Sequence, residues 1–402
     1  MNATAEILSS PELLVQKFIA ENHQDYALVS SKSVHNHVVH ALLNALKLNS
    51  DLVQLSTTHE EESKHLEVWP TPKYNIVSAS ELSASLGDKK QQHAIAKYFE
   101  RELQGSNGNW KAIVLSRLTS GEVPLIDGLA GGYGHGFLWL ADAFELDNPL
   151  VASEALAIAA VNWGPQHNVL SLPSTHDGTR EFSVFEVVDK IGQDSRFDDI
   201  FAAPGIQNGL QLFGNASLRQ AFLEYFQLFP SEPSATVEKE LVELATLLLS
   251  GTRAPGPPAF DFYLAHQLSF AASVRSLTPY FEGEWRSRLQ RSQWMLMLLA
   301  YLSQKRPYLD CALIDDIVIE KPADEEWDDV LNGLRKLAPS NDGGAVPLDP
   351  HSARAVRALK EFSAVYPEIG DFFLRAASRF VRNFTQWTGF GKPNEPELER
   401  RP

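Results

Sequence analysis

The chain has 402 residues, and 35 Lys plus Arg against 51 Asp plus Glu give a formal net charge of −16 with neutral histidines. That acidity nearly excludes nucleic acid and anionic membrane as partners, because phosphate is repelled over most of such a surface. The lone Cys311 excludes internal disulfides, Cys-based zinc ribbons and CxxC redox chemistry. Lying in the apolar stretch Leu309 to Ile314, it reads as a small core residue rather than a nucleophile. A hydrophobic content of 44% is that of a globular protein. Met1 to Gln16 lacks the basic and apolar regions of a secretory signal, and no run approaches the roughly 18 apolar residues of a membrane span. A cytoplasmic protein is expected.

Along the chain the recurring pattern is helical. Ser33 to Leu48 places Val34, Val38, Ala41, Leu42, Ala45 and Leu46 at helix spacing. Tyr74 to Val77 and Ala112 to Ser116 read as short strands, and Phe137 to Phe144 as helix. Asn148 before Pro149 is an N-cap followed by proline at the first helical position, opening Leu150 to Val161. Further helices are predicted over Phe182–Ile191, Leu218–Phe229, Val237–Leu249, Phe260–Ser276 and Glu284–Ser303. Ile314–Ile319 is strand-like, and Asp324–Leu337, Ser352–Val365 and Pro367–Thr388 are helical again. Gln104–Asn109, Pro230–Ala235, Gly251–Pro258 and Ala338–Pro350 carry the Gly, Pro, Ser and Asn of loops. These loops are short for domain linkers. The reading is mainly α: one large multi-helical domain over residues 1–390 with few short strands, and a flexible charged tail over 391–402.

Nothing in the sequence matches a GxSxG elbow, a Walker A loop, HExxH, or a flavin or nicotinamide motif. Gly131, Gly132, Gly134 and Gly136 read as small residues that let backbones approach at a helix start. Histidines are more informative. His37 shares the apolar face of the first long helix with Val34 and Ala41, and His40 follows one turn later. Two imidazoles there could enter one cavity; equally, His37 could be a core residue with His35 and His40 solvated. Next, His135, Leu138, Trp139 and Asp142 share a helix face, and an Asp on an apolar stripe needs a partner such as His or Arg. His266 lines up with Phe262 and Phe270 beyond Asp261, facing either core or an aromatic cavity. Asp349, ahead of His351, reads as a helix cap, with Arg354 and Arg357 exposed. His167 and His176, in a connecting stretch, read as surface residues.

Taken in order, these segments resemble the questin oxidase-like family. The likeness lies in Asn36-His37 followed by His40-Ala41-Leu42-Leu43, in His135 to Glu145, in Asp261 to His266, and in Asp349 to Leu359, spanning about Asp25 to about Phe380. It implies oxygen chemistry on polycyclic aromatic polyketides, including flavin-free Baeyer–Villiger-type ring opening, with an aromatic small molecule and O2 as partners. It also implies that iron is possible, with His37, His40, His135 and His266 as ligands. Against that pattern Trp139 stands at a second central histidine, Arg354 at a lysine that can carry a carbamate, and Gly136 at a proline. Indole does not ligate iron and a guanidinium forms no carbamate. Without metal, a deprotonated phenol can itself give an electron to oxygen. His37 or His135 is then the expected base. His266 and Arg354 orient substrate or oxygen, His40, Asp142 and Asp261 contact substrate, and Phe137, Trp139 and Phe262 stack on its rings. The alternatives are an iron dioxygenase with this reduced ligand set, a hydrolase or lyase of a lactone or ester in the same cavity, and a non-catalytic binder of an aromatic ligand.

Overall fold

Asn148 caps the helix Pro149–Val161: its Oδ1 accepts from the N–H groups of Leu150 and Val151 at 2.9 and 3.2 Å, and Pro149 supplies the fixed φ of the first turn. The helix is buried all round, every residue from Val151 to Val161 included, and Glu154 is its one charged side chain. It packs against the helices Gln92–Gln104 and His135–Glu145 and the 3₁₀ segment Leu125–Ala130. Gly128 permits that last approach, since a Cβ there would fall 2.0 Å from the carbonyl oxygen of Ala159.

The computed structural model describes residues 10–121, 123–175, 182–254, 258–337 and 348–400. The protein is mainly α-helical, as the periodicity predicts. Among the described residues the paired strands are Phe260–Asp261 and Trp387–Thr388, parallel, with Phe260 opposite Trp387. No described helix is long and apolar enough to cross a membrane.

Several expected elements fall out differently. A helix absent from the sequence reading, Pro11–Asp25, starts at Ser10 with Pro11 in its first turn. Ala112–Ser116 lies inside the helix Trp110–Thr119, because a short apolar run has no periodicity to separate strand from helix. Tyr74–Val77 pairs with no strand; its carbonyls are taken by side chains instead, Tyr74 accepting from Gln91 at 3.2 Å and Ile76 from Arg101 at 2.6 Å. Ile314–Ile319 begins inside the helical turn Ala312–Asp315 and continues without regular structure. Cys311 is exposed rather than in the core.

The chain forms two compact units, each drawn from three stretches of sequence. The first comprises Met1–Leu170, Ser276–Arg288 and Ala338–Arg354. The second comprises Ser171–Arg275, Leu289–Leu337 and Ala355–Pro402, and is built from helices including Val184–Gln193, Ala235–Ser250, Ala323–Leu337 and Phe372–Asn383. In this unit the described part of the stretch read as a tail is tied down at Glu397 and Glu399. Tyr308 donates to the Glu399 carbonyl and Glu399 to the Arg253 carbonyl, both at 2.8 Å, and Lys305 pairs with Glu397 at 2.9 Å.

Candidate active site

In the first unit, the segment before Val38 decides where the histidines go. The helix predicted from Ser33 begins only at Val38, with His37 as its N-cap. Ahead of it Val29 and His35 pair as an antiparallel bridge, turning at Ser33 with φ of 65°. Polar side chains outcompete helix here. Asn36 Oδ1 accepts from Val38 N–H at 3.0 Å while its amide donates to Asn22 and Ala27. The Gln92 amide clamps Leu28 and Val29. His35 and His40 are buried, not solvated, and His37 is half-buried.

Their rings meet others from distant sequence. His35 stacks on His135 with centroids 4.0 Å apart and planes 8° from parallel. His37 stands edge-on to His135 at 5.4 Å and lies 6.0 Å from His40 and 5.0 Å from His351. His40 meets Trp139 edge-on at 4.5 Å. The glycine run makes this stack possible. A Cβ on Gly132, whose φ is +56°, would lie 2.8 Å from His35 Nε2, and one on Gly136 would lie 2.7 Å from Leu129 Cα. The close-approach reading of these glycines holds.

Asp142, only 2% exposed, has the partners its burial demanded. His40 Nδ1 bonds its Oδ2, and Arg354 Nη1 lies 3.9 Å from its Oδ1. Arg354 is buried, not exposed. A carboxylate accepts, so Nδ1 of His40 carries hydrogen, and the buried Nε2 has no hydrogen-bond partner. The Gly132 carbonyl likewise takes the Nδ1 hydrogen of His135 at 2.9 Å, fixing its tautomer when neutral.

Trp139 is wholly buried, and its indole donates to Glu154 Oε2 at 3.1 Å. Glu154 is itself fully buried, and its Oε1 faces His23 Nδ1 at 2.9 Å. His23 Nε2 faces Glu100 at 3.4 Å. Burial opposes charge on His23, but Glu154 overrides it and raises its pKa. The opposite holds at His35, where burial, then the charges of Lys89 and His40, push the pKa down to about 3. Glu62 is a further candidate that sequence reasoning missed. Burial, resisted by His351 and reinforced by Asp349 and Glu61, raises its carboxyl to about 7. In the run Glu60-Glu61-Glu62 nothing marks it as different.

His35 makes a pH prediction. Its ordinary value is 6.5 and its folded value about 3, so between these the unfolded chain binds a proton that the folded protein refuses. Stability is therefore lost as pH falls below 6.5, by about 2 kcal/mol at pH 5. Urea unfolding of His35→Gln at pH 7 and pH 5 is expected to show a pH difference smaller by that amount; an unchanged difference contradicts it.

Of the residues singled out in the sequence, His37, His40, His135, Trp139, Asp142 and Arg354 come together in the first unit, with Phe137 fully buried on the same helix as His135. His351 and His35 join them. Asp261, Phe262 and His266 belong to the second unit. There Asp261 accepts from the N–H groups of Tyr263 and Leu264, and His266 donates from Nδ1 to the Phe262 carbonyl at 2.7 Å. Phe262 packs on Phe390 at 5.1 Å. Half-exposed His167 pairs with Asp127 in the first unit, and His176 lies outside the described residues. Among the described residues no three His, Cys, Asp or Glu side chains are placed to hold a metal ion. Where the resemblance places a second central histidine and a lysine stand Trp139 and Arg354, and neither side chain ligates iron.

Fold and site define a helical protein with a buried imidazole cluster backed by a carboxylate and a guanidinium. The chain belongs to the questin oxidase-like family, whose profile matches residues 34–359. It is 24% identical over 430 residues to the Baeyer-Villiger oxidase AgnL3 of Paecilomyces divaricatus, covering 94% of this chain and 89% of that one. It is 22% identical to the Baeyer-Villiger monooxygenase dmxR6 of Cryptosporiopsis sp., covering 95% and 93%. With the questin oxidase of Aspergillus fumigatus it shares 24% identity, covering 88% and 80%.

Proposed function

We propose that this chain is a Baeyer–Villiger-type oxygenase that acts with O2, and without flavin, on a polycyclic aromatic polyketide. Family membership and the named relatives support the reaction class. The observation that carries the site is the buried Asp142–His40 pair, whose outer nitrogen has no partner within a ring of imidazoles. A buried polar atom left without a partner costs stability and marks a place kept for something else. The base role goes to His40 because a carboxylate backs it, with His37 and His135 as its neighbours.

His40 Nε2 takes the proton of a phenol, and Asp142 stabilises the imidazolium that forms. The phenolate is electron-rich enough to reduce O2. Arg354 and the neighbouring imidazoles then hold the developing superoxide or peroxide anion, a task for which preorganised donors in a dry site are suited. One oxygen atom inserts beside a ring carbonyl and the other leaves as water. The two further electrons come from a reductant or from the hydroquinone form of the substrate.

An oxygen electrode with labelled O2 tests this on a hydroxylated anthraquinone supplied with ascorbate. One labelled atom per product molecule is expected, with matching oxygen uptake. Product without oxygen uptake would make the protein a hydrolase or lyase, and two labelled atoms a dioxygenase.

A further inference from the structure

Burying the Glu154 carboxylate with no exposed surface is costly, and an apolar ring at position 139 would need no acceptor there. The first unit instead carries a chain of rings and polar groups outward from the imidazole cluster. Trp139 meets His40 edge-on at 4.5 Å and donates its indole N–H to Glu154 Oε2 at 3.1 Å. Glu154 Oε1 faces His23 Nδ1 at 2.9 Å, and the His23 ring lies 6.5 Å from that of Trp69, at 76° to it. The Trp69 indole also donates to the His23 carbonyl at 3.0 Å. Trp139 is wholly buried, whereas Trp69 is half-buried and within reach of solvent. Electron transfer falls off steeply with distance, so rings joined by contacts and hydrogen bonds conduct far better than an aliphatic core.

We infer that Trp139, His23 and Trp69 form an electron relay that quenches oxidising radicals in the imidazole cluster, with ascorbate at the surface as the donor. The inference rests on the oxygenase reading, which supplies the oxidant. When superoxide escapes before recombining, the aromatic radical left behind captures O2 and becomes a peroxyl radical. That radical takes one electron from the Trp139 indole and becomes a hydroperoxide anion. The indole N–H proton passes to Glu154 Oε2 and leaves a neutral indolyl radical, because a radical cation is poorly tolerated in a dry core. An electron from Trp69, passed by way of His23, restores Trp139, and the proton returns from Glu154. Trp69 then holds its positive charge at the solvent boundary until ascorbate gives it one electron and releases one proton to water.

The test uses the intact protein turning over a hydroxylated anthraquinone with labelled O2 and ascorbate. Trp69→Phe puts an inert ring in place of an oxidisable one, away from the imidazole cluster. Its initial oxygen uptake is expected to match that of the parent protein, while its turnovers before inactivation fall about tenfold. Peptide mass analysis of the spent variant is expected to find added oxygen on His40 and Trp139. Trp69→Tyr, whose phenol can be oxidised, is expected to recover most of the lost turnovers, which a purely structural role for the indole would not allow. Equal working lives in the parent protein and Trp69→Phe, or equal losses in the Phe and Tyr variants, overturn the relay and leave the oxygenase reading intact. A parent protein that forms no labelled product fails the oxygenase reading itself, and the relay falls with its oxidant.

Discussion

Asp142→Asn is expected to lower oxygen uptake by about two to four orders of magnitude, with the fold retained. The two side chains have the same shape, but an amide can present N–H to His40 Nδ1 where the carboxylate presents only acceptors. The proton then moves to Nε2, and the nitrogen that should take the phenol proton becomes a donor. The substitution also strips Arg354 of its charged neighbour 3.9 Å away. His40→Ala is expected to match this loss, and the double variant to be little worse than either single one, because the two residues act as a unit. Turnover within a few-fold of the parent protein in both single variants would remove the pair from the reaction. The check that separates chemistry from folding is the urea midpoint, which Asn at this position is expected to move far less than turnover.

The largest stability effect is expected at Glu154. Glu154→Ala removes a fully buried carboxylate that faces both the Trp139 indole and the His23 imidazole. Both donors then lie in a dry interior without an acceptor, at a cost of about 3–5 kcal/mol in denaturant unfolding. Glu154→Gln separates the terms, since it can still accept from Trp139 but carries no charge for His23. The sign of the pH dependence follows from the raised pKa of His23. Its folded form holds the proton more tightly than the unfolded chain, so its contribution is complete below about 6.5 and fades as pH climbs through the raised value. In Glu154→Gln that alkaline decline is expected to flatten. A glutamine variant with an unchanged pH profile would mean that the carboxylate does not hold His23 charged. His23 and His35 thus erode stability from opposite sides of neutrality.

Much of this was written in local sequence. Asn148-Pro149 marks a helix start wherever it sits, and a lone Asp142 on an apolar face demands a partner. The order of the histidine segments led to the family. What was not legible depended on contacts across the chain. Val34 and Val38 continue a helical spacing, yet the amides of Asn36 and Gln92 hold residues 28–36 in a bridge that no periodicity reveals. His351 reads as part of a helix start until its ring is seen beside His37. Glu154 did leave a signal, a single acidic residue within an otherwise uncharged apolar run from Leu150 to Val161. Three of the five unit boundaries left none. They fall between Arg275 and Ser276, Arg288 and Leu289, and Arg354 and Ala355, inside helices rather than in linkers.

That interleaving governs how the protein can be made. Asp142 is translated long before Arg354, and His37 long before His351. A ribosome that has released the early helices therefore still holds back groups the site needs. The N-terminal part cannot mature first and wait, as tandem domains do. During elongation the nascent chain exposes the apolar surface of an unfinished core to holdase chaperones and proteases.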